Sequence, residues 1–123
     1  MQMHHKLKED YLHVTVTGNI DSTDVANLPL EFRKVSELCD KHECKRVFFD
    51  AKSNVEELGT FDLFYSGTSI ANMPNIYELK IAVFVRPEQI RGNFFETVAV
   101  NRGANLRVFT DQQEAFSWLL QEK

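Results

Sequence analysis

The chain has 123 residues, 43% of them hydrophobic and 26% charged, with ten Phe and a formal net charge of −4. This balance excludes a disordered chain, which could not bury enough apolar surface to offset its ordering entropy, and it is enough for one real core. The acidic balance argues against general nucleic-acid binding, since phosphate contacts need a basic face. No window approaches the roughly 18 apolar residues of a membrane span, and the N-terminus lacks the apolar core of a signal peptide. The expectation is a soluble cytoplasmic protein folded as a single domain over residues 1–123.

In chain order, Tyr11 to Thr17 alternates: Leu12, Val14 and Val16 share one face, and Tyr11, His13, Thr15 and Thr17 the other. That is a half-buried strand. Its expected partner is Met3 to Lys8, turning at Glu9-Asp10, with lysines that suit a sheet edge. Gly18-Asn19-Ile20-Asp21 closes the second strand, and Asp21, Ser22, Thr23 and Asp24 offer caps for a short first turn. The main helix is expected from about Pro29, with Phe32, Val35, Cys39 and His42 as the stripe that covers the sheet.

Lys45 to Asp50 holds the apolar triplet Val47-Phe48-Phe49 and ends on an acid. A short continuous apolar run suits a strand buried on both faces, and so a central one. A helix from Thr60 to about Asn72 follows, with Leu63, Gly67, Ile70 and Ala71 inward and Gly67 allowing close approach to the sheet. Leu79 to Val85 is a second buried strand; Pro87 opens a third helix that buries Ile90, Phe94, Val98 and Phe95 and ends at Gly103. Leu106 to Phe109 is the last strand, and Thr110 with Gln113 is the expected capping box of a closing helix carrying Ala115, Phe116, Leu119 and Leu120. The fold class is α/β: a mixed, mostly parallel five-stranded sheet with an N-terminal antiparallel hairpin and about four helices. In parallel sheets function gathers outside the carboxyl ends of the strands, which directs attention to residues 50–66.

Chemistry-bearing clusters have plainer readings. Cys39, His42 and Cys44 lie close in sequence, but Cys39 belongs to the apolar stripe and no fourth metal ligand is spaced nearby. No metal or cofactor is expected, and a Cys39–Cys44 disulfide is disfavoured in a reducing cytoplasm. Cys39 with His42 as nucleophile and base would leave no room for substrate against the sheet. His4 and His5 point to opposite faces of an edge strand. Phosphate loops and nucleophile elbows are absent, which lowers the expectation of an enzyme. Leu63 and Gly67 take the core side of their helix, which leaves Phe61, Phe64 or Tyr65 partly outward, unless these rings pack with Phe94 and Phe95 between the helices.

Three stretches resemble one family. Val16-Thr17-Gly18-Asn19-Ile20-Asp21 resembles the strand ending Gly-x-Leu/Ile-Asp of the STAS superfamily, in its SpoIIAA-like, STAS/Sec14-like branch. Arg46-Val47-Phe48-Phe49-Asp50 resembles its central strand, and Arg107 to Asp111 with Glu114-Ala115-Phe116-Ser117-Trp118-Leu119 its terminal strand and helix. The resemblance implies a non-enzymatic bacterial regulatory module of the anti-sigma-factor-antagonist kind, acting on a protein partner or on its own copy. It also implies a phospho-acceptor region at Thr60 with Asp21, Asp50 and Ser53 around it. Here the motif is degenerate: Leu58-Gly59-Thr60-Phe61-Asp62 lacks the family's preceding Asp and following Gly. A phosphate at Thr60 would gain from the helix N-terminus and suffer from acidic neighbours, while the plain reading has Thr60 capping its helix. The interaction surface would comprise Phe61, Phe64, Tyr65, Arg86, Arg91, Phe94 and Phe95. The alternative function is a small apolar-ligand or lipid carrier with a pocket between the Thr60 and Pro87 helices, where Arg86 and Arg91 would meet an anionic head group.

Overall fold

The computed structural model describes residues 1–53, 60–87 and 94–121. Strands β1 (Gln2–Leu7), β2 (Leu12–Thr17), β3 (Arg46–Ser53), β4 (Lys80–Phe84) and β5 (Asn105–Phe109) form one sheet in the order 1-2-3-4-5. Helices α1 (Ser22–Ala26), α2 (Leu28–Lys41), α3 (Thr60–Ala71), α4 (Phe94–Asn101) and α5 (Gln112–Leu119) join or follow the strands. The hairpin β1–β2 is antiparallel and all other pairs are parallel, as the sequence predicts. Among the described residues the α-helices number five rather than about four, because the residues capped by Asp21 form their own helix α1 ahead of α2.

The registers explain why β3 reads as a continuous apolar run. Leu12, Val47, Ile81 and Leu106 stand side by side across β2 to β5, as do Val14, Phe49, Val83 and Val108. These rows build the larger core beneath Val25, Leu28, Phe32, Val35, Cys39, Ile70 and Ala99 of α1 to α4. On the other face Phe48 and Ala82 lie under Ala115 and Leu119 of α5, with Phe116 stacked on Phe48 at 4.3 Å between ring centroids. Val47, Phe48 and Phe49 are thus all buried, two on one side of the sheet and one on the other.

Crossover handedness distributes the helices. In a parallel sheet whose strands are added in one direction, right-handed connections all fall on the same face. α1 to α4 obey this, and α5, which follows β5, folds back over the opposite face. It is anchored there by Lys80, whose Nζ donates to the Trp118 carbonyl at the end of α5 and lies 4.6 Å from the Trp118 ring centroid. The α5 N-cap is Asp111, accepting from the Glu114 amide at 3.1 Å, one residue later than the predicted Thr110 box. An ionised cap at a helix N-terminus is favoured over a hydroxyl by its charge.

Candidate functional site

Because β2 to β5 are parallel, their carboxyl ends at Thr17, Ser53, Phe84 and Phe109 lie on one rim, so the end of β3 shares its edge with Arg86 and Thr110. The strand order never reverses, however. A reversal is what sends successive helices to opposite faces and opens a crevice at the carboxyl edge. Here the described crossover helices α1 to α4 sit together on one face, so no strand-order reversal opens a crevice at this rim.

α3 opens at Thr60, as expected. The side chains of Ser53, Thr60 and Phe61, and the whole of Arg91 and Ile90, lie outside the described residues. Asp21 is engaged in a capping box: its Oδ1 accepts from the Asp24 amide at 2.9 Å, and its own amide donates to Asp24 Oδ2 at 3.0 Å. The Asp24 carboxyl is held below its ordinary range, first by that backbone hydrogen bond. α1 rests against α3, which keeps Asp21 on the Thr60 side of the sheet.

Asp50 is not part of that group. β3 does not stop at Asp50 but runs on to Ser53, and strand alternation puts Asp50 on the Phe48 face, beneath α5 rather than α3. Its register neighbours are Thr15 and Phe84, and its Oδ1 accepts from the Lys52 amide at 3.3 Å. Of the sequence-derived cluster, Asp21 and Asp50 therefore lie on opposite faces of the sheet.

The aromatic surface divides as well. Phe64 is 42% exposed, whereas Tyr65 and Phe95 pack against the larger core and Phe94 is half-buried. Arg86 is half-buried beyond the end of β4. The Arg102 guanidinium lies 5.4 Å from the Phe64 ring centroid, a cation–π contact joining the end of α4 to α3. Sequence reasoning missed Arg102; its position just before the helix-terminating Gly103 was the available signal. Val100 on α4 is also exposed.

α3 and α4 are pressed together at Gly67, where an added Cβ would lie 2.9 Å from Val98 Cβ and 3.0 Å from the Phe95 carbonyl oxygen. The glycine serves helix–helix contact and not, as the sequence suggested, approach to the sheet. No acyl chain can pass between the helices at this point. Among the described residues no group of three or more His, Cys, Asp or Glu side chains could hold a metal ion, and no helix is long and apolar enough to cross a membrane.

An antiparallel hairpin continued by parallel strands, with every crossover helix on one face and a last helix on the other, is the SpoIIAA-like architecture that the sequence resembles. Solved structures with this fold include an anti-sigma factor antagonist from Mycobacterium paratuberculosis, with a TM-score of 0.68 and 14% identity over 98% of this chain and 94% of that one. The anti-sigma factor antagonist SpoIIAA in its unphosphorylated form aligns with a TM-score of 0.56 and 7% identity over 99% of this chain and 100% of that one. At such identities the likeness establishes the fold. No protein-family model matches the sequence, and no curated protein is significantly similar to it.

Proposed function

We propose that this chain is a non-enzymatic regulatory module that docks a protein partner through the outward side of α3 and the neighbouring end of α4. The observation that carries the reading is the likeness of nearly the whole chain to two anti-sigma factor antagonists. The exposed Phe64 ring under Arg102 supports the location: an aromatic and an arginine held together are the side chains that most often anchor a protein interface. The partner's matching surface carries an apolar pocket with an acidic rim. In this reading the degenerate motif around Thr60 carries no phosphate switch.

The test compares wild-type chain with Phe64→Asp as bait in its native host, with bound proteins identified by mass spectrometry. A partner retained by the wild type and lost by Phe64→Asp, at unchanged thermal midpoint, is the expected result. A wild-type bait that stays monomeric and retains nothing refutes the docking role. Thr60→Asp is expected to retain the partner; its loss would restore the phospho-acceptor reading.

A further inference from the structure

The two cysteines meet at the end of α2. After Lys41 the chain reverses through His42 and Glu43, and Glu43 takes the left-handed conformation at φ 53°. The Glu43 amide donates to the Asp40 carbonyl at 3.3 Å and the Cys44 amide to the Cys39 carbonyl at 2.9 Å. These two bonds form a Schellman end, which brings together the side chains that bracket the reversal. That contact is ordinarily apolar; here both side chains are thiols. Cys44 packs against the core that holds Cys39, and its own Sγ donates to the Arg46 carbonyl at 3.2 Å. Cys39 is 1% exposed, whereas Cys44 is half-buried and lines a surface cavity of about 590 Å³ together with His42, Lys45 and Arg46. The cavity borders Cys44, whereas Cys39 is closed to solvent.

We propose that Cys39 and Cys44 form a reversible dithiol–disulfide site, closed by exchange with a small-molecule disulfide that enters through this cavity. The Cys44 thiolate attacks one sulfur of the reagent and expels one thiolate, which takes up the proton Cys44 has lost. The Cys39 sulfur then attacks Cys44 Sγ and expels the second half of the reagent, which leaves with the Cys39 proton. Two protein thiols are oxidised, one small disulfide is reduced to two thiols, and one S–S bond is exchanged for another. The neighbouring position of Cys39 offsets its low thiolate fraction, since the second step is intramolecular.

A disulfide fits this place better than a soft metal ion. Burial first, and then the Cys44 and Asp40 side chains, push the Cys39 thiol up to about 12. A thiolate ligand would carry charge into the apolar core, whereas the disulfide is neutral. In reducing surroundings the pair stays open; it closes when the thiol pool turns oxidising, and it then ties the end of α2 to the segment that enters β3.

Folded full-length protein is incubated with oxidised glutathione, quenched with an alkylating agent in denaturant, and weighed by intact mass spectrometry. The wild type is expected to lose the mass of two hydrogen atoms, to remain monomeric and to regain both thiols with dithiothreitol. Cys39→Ala is expected to keep glutathione on Cys44, because nothing resolves the adduct, and Cys44→Ala to stay unmodified. A persistent glutathione adduct on the wild type, a disulfide between two copies, or thiols still free when an unfolded control has fully reacted would each overturn the proposal. Should Cys39→Ala fail to fold, the wild-type masses alone decide between these results.

Discussion

Gly67 of α3 and Val98 of α4 approach so closely that a methyl group on Gly67 would lie 2.9 Å from both Cβ and Cγ1 of Val98. Two effects of Gly67→Ala oppose each other. Replacing a mid-helix glycine contributes roughly 1 kcal/mol through propensity, and overpacking a tight contact costs about 1–3 kcal/mol. The obstacles are a β-branched Cβ and the Phe95 carbonyl, neither of which can swing aside, so the steric cost wins. Gly67→Ala is expected to lower stability in urea by about 1 kcal/mol, and Val98→Ala in the same chain to restore part of it. An unchanged urea midpoint would show that the helices part easily, and would favour the apolar-ligand reading.

Asn75 ties α2 to the turn after α3. The Ser36 hydroxyl donates to Asn75 Oδ1 at 2.9 Å, and Asn75 Nδ2 donates to the Ser36 carbonyl at 3.2 Å and to Asp40 Oδ1 at 3.0 Å. Ser36 and Asn75 are both buried, so removing one leaves the other without its partner. Asn75→Ala is expected to cost about 2 kcal/mol. Ser36→Ala added to it should cost almost nothing further, which a double-mutant cycle of urea denaturation would measure as coupling. Fully additive losses would mean the network does not act as a unit.

The sequence carried the sheet because hydrophobic period and burial are local signals. Leu12, Val14 and Val16 declare one buried face, and Val47-Phe48-Phe49 declares two. Pro29 and Gly103 punctuate their helices as their restricted or permissive backbones require. The candidate site was less legible, since it depends on where strands stop and which helices touch. Asp50 changed faces because β3 runs three residues past it, and nothing local distinguishes a final strand acid from a loop acid. Gly67 signals close approach without naming the neighbour. The sequence showed Cys39 and Cys44 close together but not the reversal between them, because the left-handed residue there is Glu43, where glycine would have announced it.

That same Glu43 is a point of local strain. A non-glycine residue in the left-handed region costs about 1–2 kcal/mol, and the unfolded-chain entropy of a glycine takes back about half of what relief would give. Glu43→Gly is therefore expected to raise stability by about 0.5 kcal/mol, a shift of roughly 2 °C in thermal midpoint. Calorimetry on the reduced protein checks this. A lowered midpoint would mean that the Glu43 side chain makes a contact worth more than the strain.

His13 makes the fold sensitive to mild acid. Its ring lies among Phe48 (5.1 Å between centroids) and Tyr11 (6.0 Å), and its Nδ1 is buried without a hydrogen-bond partner among the described residues. Burial holds its protonation below the ordinary value of 6.5; Asp50 opposes the shift, and Lys8, Lys52 and Lys6 add to it. His5 is lowered in the same way, by burial first, with Glu31 opposing and Lys34 and His4 adding. The unfolded chain then binds protons at a higher pH than the folded one. Stability is fully present above the unfolded value of about 6.5 and is lost as pH falls below it toward the depressed folded values. The thermal midpoint is accordingly expected to decline between neutral pH and pH ~5, and to decline less in His13→Phe, which keeps the ring contacts and removes the titration. Proton NMR of the His13 ring should give a midpoint below that of an exposed histidine; a midpoint above it would reverse the sign and discard the account.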